Sequence, residues 1–216
     1  MVIHKLQFVN KNYIWEVTII MKYIALLRGI NISGKNKVSM NELKLVLEKN
    51  KYQNVSTYLN SGNVIFENNI DNKEYIMKDI CKIIKDKFNL EIPVFVMTQS
   101  ELEDILNNSP EWWGTDNKEI YDNLIFIIPP TKYEEVYNTI GSPKEDIEKI
   151  KEYNNSIFWS YDLKKYRKSN WWSKTASTNI SDKITIRTAN TMKKVLEISK
   201  NRGVYKMSKY KLYGIV

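Results

Sequence analysis

The chain has 216 residues, a single cysteine and a formal net charge of +8. That length builds one large domain or two small ones with a workable core, and one cysteine excludes an internal disulfide framework. The apolar stretch 19–27 is broken by Lys22 and falls short of the roughly 18 residues a membrane helix needs; the first residues lack the pattern of a signal peptide. A cytoplasmic protein without a membrane partner is expected.

Residues 1–20 hold a strand-like segment over 14–20 and are expected to be an N-terminal extension before a second start at Met21, or else an added edge strand. From Met21 a rhythm begins. Residues 23–27 form a short apolar run suited to a buried strand. Ser39 to Glu42 reads as a capping box, and Met40, Leu43, Val46 and Leu47 follow at helical spacing. Strands are expected over 55–58 and 64–66, joined by a turn at 60–63. A second capping box at Asp71 to Glu74 opens a helix carrying Ile76, Ile80, Ile83, Ile84 and Phe88, and 92–97 returns as a strand with Pro93 at its start or on an edge.

That order is β-α-β-β-α-β. A third capping box at Ser100 to Glu103 starts a connecting helix. The second half repeats the order: a strand over 123–128, a fourth capping box at Thr131 with Gly141 as the stop, a hairpin about Asn154 and Asn155, a helix over 162–172, a strand over 183–187 and a last helix over 190–199. The fold class is therefore α+β, with two ferredoxin-like β-α-β-β-α-β halves in one compact body. The boundaries follow: extension 1–20, first half 21–98, connecting helix and loop 99–121, second half 122–200 and a basic C-terminal tail 201–216.

In such a sheet the loop leaving the first strand and the hairpin joining the second and third strands lie at the same end. The 28–38 loop should therefore meet the 60–63 turn. The candidate ligand-binding residues are Arg28, Asn31, Gly34, Lys35, Tyr58, Asn60, Ser61, Gly62 and Asn63, since polar loops converging on a scaffold are how sites are usually built. A second candidate set is Lys174, Arg187, Asn190 and Thr191, around the start of the final helix, where amides with an adjacent arginine suit an anion.

Two of these segments are long enough to carry a resemblance. Ala25-Leu26-Leu27-Arg28-Gly29-Ile30-Asn31 and Thr57-Tyr58-Leu59-Asn60-Ser61-Gly62-Asn63-Val64-Ile65-Phe66 are similar to the opening motifs of a bacterial family of uncharacterised α+β proteins, domain of unknown function 1697. Ser173-Lys174 and the segment from Thr185 to Thr191 also resemble that family, with Ala189 standing where a tryptophan is expected. The resemblance spans about 21–200 and implies a compact fold of two related ferredoxin-like parts. It implies no activity.

The chemistry of the residues narrows the functions. Gly29 to Lys35 fits G-x-x-x-x-G-K after a strand, but Asn36 stands where a Walker A motif needs Ser or Thr, and the helix cap falls at Ser39. The one histidine, His4, lies in the extension, which removes histidine general bases, Ser-His triads and most zinc or iron sites. No metal is expected, and no cofactor is indicated. Cys81 falls on the apolar face of a helix and reads as a buried structural thiol.

What survives is the expectation of a small anionic or phosphorylated ligand bound at the 28–38 and 60–63 loops. The alternatives are nucleic acid held by the basic, aromatic-rich region 162–211, or a protein-interaction scaffold. That region holds 14 basic residues against Asp162, Asp182 and Glu197, a charge that attracts phosphates but also suits solvated faces. Oligomeric state has no signature in the sequence.

Overall fold

The computed structural model describes the backbone of residues 5–10, 13–177, 179–200 and 205–211, and the side chains of 20–176 and 179–200. Strands β1 (Lys5–Asn10) and β2 (Tyr13–Ile19) are followed by β3 (Met21–Leu27), α1 (Met40–Lys49), β4 (Gln53–Tyr58), β5 (Asn63–Asn68), α2 (Lys73–Phe88) and β6 (Val94–Thr98). Helix α3 (Gln99–Asn107) connects to β7 (Ile120–Ile127), α4 (Tyr133–Ile140), β8 (Glu148–Tyr153), β9 (Ser156–Asp162), α5 (Asn170–Ser177), β10 (Ile184–Thr188), α6 (Ala189–Lys200) and β11 (Tyr205–Lys211).

Two four-stranded sheets result, ordered β4-β5-β3-β6 and β10-β7-β9-β8, and every neighbouring pair is antiparallel. Counting strands within each half, both read second-third-first-fourth, so the halves share element order and strand order. Of the segment 14–20, residues 14–19 lie within β2, which joins β1 and β11 in a three-stranded sheet of its own instead of extending either larger sheet. Strand β11 falls within the stretch read from sequence as a tail. His4 lies outside the described residues. Among the described residues no helix is long and apolar enough to cross a membrane.

Alternation along the central strands decides the layering, because successive side chains leave a strand on opposite faces. On β3, Tyr23, Ala25 and Leu27 pack against Leu43, Leu47, Ile76, Ile80 and Ile84 of α1 and α2. Ile24 and Leu26 point the other way, onto a core with Leu102 and Ile105 of α3, Met192 and Val195 of α6, and Leu124, Phe126 and Phe158 of the second sheet. Ile125, Ile127 and Trp159 leave that sheet on its far side to meet Val136, Ile140 and Trp171 of α4 and α5. The middle core thus joins the halves, and Phe95 meets Phe126 across it with ring centroids 5.2 Å apart. An aromatic pair of this kind contributes about 0.5–1.5 kcal/mol beyond its area.

The helix starts correct the sequence reading at three of four places. Ser39 does cap α1, accepting from Glu42 N at 3.3 Å. The cap of α2 is Asn72, accepting from Tyr75 N at 2.9 Å, instead of Asp71. Helix α3 begins two residues early, in a full capping box where Thr98 Oγ1 accepts from Glu101 N and Glu101 accepts from Thr98 N. Lys132 stands at the cap of α4 and offers no side-chain acceptor, so Thr131 caps nothing. The expected helix over 162–172 is a short 3-10 turn, Tyr166–Lys168, followed by α5. The Asn154-Asn155 hairpin forms as expected, with both residues at positive φ, 48° and 56°, the signature of a type I′ turn.

Candidate functional site

The 28–38 loop and the 60–63 turn meet at one end of the first sheet. Lys35 N donates to Ile32 O at 2.9 Å, and between them Ser33 and Gly34 both have positive φ, 48° and 77°. Left-handed backbone at both central positions makes a tight type I′ turn, so Gly34 serves hairpin geometry. Asn31 N donates to Asn36 O at 3.1 Å and continues the hairpin. The Asn31 side chain then clamps it: Nδ2 donates to Val38 O and to Asn60 O, each at 2.9 Å, and Oδ1 accepts from Val38 N.

Beside this clamp lies an open hollow of about 490 Å³, lined among others by Gly34, Lys37, Ser39, Met40, Asn41 and Asn60. It faces the start of α1. Ser39 takes the amides of Glu42 and Leu43 through Oγ and O, while those of Met40 and Asn41 meet no protein acceptor among the described residues. Unpaired amides and the helix dipole make this end positive. Lys35 and Lys37 are exposed and form no ion pair among the described residues.

The remaining first-set residues serve the junction between the halves. Arg28 Nε donates to Ser181 O at 2.6 Å; burial pulls its guanidinium below the ordinary arginine range, against the opposing pull of Asp182. Asn63 is fully buried and donates to Tyr58 O at 2.8 Å and Ser61 Oγ at 3.2 Å. Its Oδ1 accepts from Arg187 Nε at 2.7 Å. Arg187 also donates to Thr185 Oγ1, Ile186 O, Leu27 O and Ser61 O at 2.8–2.9 Å and to Gly62 O at 3.3 Å. Burial, with Arg28 nearby, pushes its guanidinium down to about 10, so it stays charged at neutral pH. Gly62 sits under this contact at φ +80°, where a Cβ would lie 2.7 Å from Leu27 Cβ. Tyr58 is half-buried against the middle core.

The second candidate set does not converge. Lys174 Nζ donates to Ile140 O at 2.7 Å, Thr191 N donates to Thr188 Oγ1 at 3.2 Å, and Asn190 is exposed. No described contact joins Lys174 to Arg187, Asn190 or Thr191. Nor do the aromatics of 153–172 form an open platform: Phe158, Trp159, Tyr161 and Trp171 are buried, and Trp172, 43% exposed, packs edge-on against Tyr161 and Tyr166. Several cations of the basic region are also engaged, with Lys164 paired to Glu119, Lys183 to Glu135 and Lys200 to Glu103.

One feature escapes the sequence reading altogether. A cleft of about 670 Å³ runs between the halves along β6, lined by Met77 of α2, Phe95, Val96 and Met97 of β6, Ile105 of α3, and Ile127, Pro129 and Pro130 of the second half. The edge position of Pro93 and the Pro129-Pro130 pair were its only signals in the sequence.

Fold and junction together define an α+β protein built from two similar four-stranded halves pinned by one buried arginine. Residues 20–158 match the family described as a protein of unknown function, DUF1697, and the chain belongs to that family. A conserved bacterial protein of Streptococcus pneumoniae has a similar structure, with a TM-score of 0.74 and 27% sequence identity over 83% of this chain and 99% of its own. No functionally curated protein matches the chain.

Proposed function

We propose that this chain is a cytoplasmic binding protein for a small anionic, phosphorylated ligand, held in the hollow between the 31–38 hairpin and the first turn of α1. Each half is read as a ferredoxin-like unit, supported by its strand order. The observation that carries the ligand reading is the placement of exposed Lys37 on the rim of a hollow that the unpaired amides of α1 face. A helix start with amides open to the ligand and a cation beside it favours phosphate. Lys35, Lys37 and Gly34 would contact the anion, with Asn60 and Asn41 orienting its polar substituents. Asn31, Asn63, Gly62 and Arg187 act by holding the walls, and Arg28 by fixing the loop to the second half.

Thermal-shift screening against phosphorylated metabolites, with inorganic phosphate as the minimal probe, tests this. A stabilising ligand should lose its effect in the Lys35→Ala/Lys37→Ala double variant and weaken as salt is raised. A shift that survives the double variant would place the ligand elsewhere, and a screen without any shift would remove the reading.

A further inference from the structure

The cleft along β6 has hydrogen-bonding chemistry as well as shape. Strand β6 ends the order β4-β5-β3-β6, so one of its sides has no neighbouring strand. Which amides lie on that side follows from the ladder. Arg28 N donates to Pro93 O at 2.9 Å, and the same register places Leu26 opposite Phe95 and Ile24 opposite Met97. In an antiparallel pair the bonded positions alternate, so residues 93, 95 and 97 are bonded to β3 while Val94, Val96 and Thr98 turn N–H and C=O outward. The Thr98 amide is taken by Glu101 at 2.8 Å. The Val94 amide donates to the Cys81 thiol of α2, whereas the main-chain groups of Val96, which lines the cleft, have no described partner.

Edge strands are commonly blunted by proline, by lysine or by a covering element. Here Pro93 removes a donor on the β3 side, which leaves the open side untouched, and the strand sequence Val-Phe-Val-Met-Thr carries no charge. Apolar walls come from both halves, with Met77 and Ile105 from the first and Ile127 and Pro129 from the second. The ion pair of Lys73 with Glu101 and that of Lys78 with Glu74, whose residues also line the cleft, provide charges of both signs. A donor and an acceptor spaced as in a β-ladder, set between apolar walls and ion pairs of no net charge, are complementary to another main chain.

We propose that this cleft binds an extended peptide segment, uncharged where it lies in the trough, which adds to the first sheet as a strand beside β6. The peptide residue facing Val96 exchanges both main-chain hydrogen bonds with it, and the apolar walls select the side chains at alternate positions, as in other strand-addition complexes. The site is separate from the hollow at α1, and neither reading depends on the other.

The test uses the full chain. A phage library of random heptapeptides is panned on it, and an enriched sequence is then synthesised with capped ends. The peptide should slow hydrogen exchange at the Val96 amide, and N-methylation of its alternate, ladder-facing residues should weaken binding at least about tenfold. Met77→Glu places a charge in a wall without touching the strand, and should weaken binding comparably while the circular dichroism spectrum stays unchanged. The proposal is overturned if no sequence is enriched or if binding is indifferent to N-methylation. Protection mapped to another surface, or self-association of the chain along β6 in place of peptide binding, overturns it equally.

Discussion

Arg187 Nε donates to Asn63 Oδ1 at 2.7 Å, joining residues 124 positions apart on the two halves of the fold. Arg187 is 8% exposed and its guanidinium meets no carboxylate among the described residues; carbonyl oxygens of Leu27, Ser61 and Gly62 accept its remaining first-half bonds. A planar fork with five donors suits that set of acceptors, whereas an ammonium does not. The bond therefore fixes the turn beside the candidate hollow from the opposite half.

Replacing Arg187 with methionine should destabilise the protein by about 3–5 kcal/mol, because buried carbonyls lose their donors together. Arg187→Lys should recover less than half of that loss. Urea unfolding of the two variants measures the difference, and equal stability of Arg187→Lys and the unmodified chain would refute the fork argument.

Two glycines on the same loops should respond differently to alanine. At Gly62 a Cβ would lie 2.7 Å from Leu27 Cβ and 2.9 Å from Ile30 Cδ1, at φ +80°. At Gly29 it would meet nothing within 4 Å, at φ +67°. Gly29→Ala should cost only the left-handed backbone, about 1 kcal/mol. Gly62→Ala adds overpacking of about 1–3 kcal/mol. Their melting temperatures, compared in one buffer, should rank in that order.

Glu148 is 2% exposed and gathers the start of α5 into the third core. Its carboxylate accepts from Asn170 N at 2.7 Å, from Trp171 N at 3.2 Å, from Trp159 Nε1 at 3.2 Å and from Ser169 Oγ at 2.5 Å. Bonds to a charged acceptor contribute about 1.5–3 kcal/mol each when their partner is lost, though they overlap at one group. Glu148→Ala should cost about 3–4 kcal/mol, and Glu148→Gln less, since an amide keeps one acceptor oxygen. Denaturant midpoints for the pair give the comparison.

How much of this was legible follows from the range over which each signal acts. The Ser39 cap and the Asn154-Asn155 turn depend on four neighbouring residues, and both were read from the sequence. The α3 cap depends on where β6 stops. Thr98-Gln99-Ser100-Glu101 and Ser100-Glu101-Leu102-Glu103 both fit a capping box, and only pairing of Thr98 with Tyr23 selects the first. Arg187 was visible as a candidate anion ligand, yet its bonds to Asn63, Leu27, Ser61 and Gly62 reach into the other half, which no local pattern shows. The cleft along β6 is lined by segments as far apart as 95–97 and 127–130, which nothing in the local sequence brings together.

The α3 cap also gives the protein a definite acid response. Burial alone would raise the Glu101 carboxyl, but the Lys73 ammonium and the Thr98 amide and hydroxyl outweigh it and hold it below the ordinary value of 4.5. A carboxyl depressed in the folded state stabilises the fold fully above its unfolded value and loses that contribution as pH falls through the folded one. Glu101→Gln keeps an acceptor for the cap but removes the titration. Stability measured by urea unfolding from pH 6 to pH 3 should therefore fall less steeply in Glu101→Gln than in the unmodified chain, with the two curves converging at the acid end. Lys73→Met should flatten the curve in the same direction, since it removes the ammonium that depresses the carboxyl. Parallel curves for all three proteins would show that the cap is indifferent to charge.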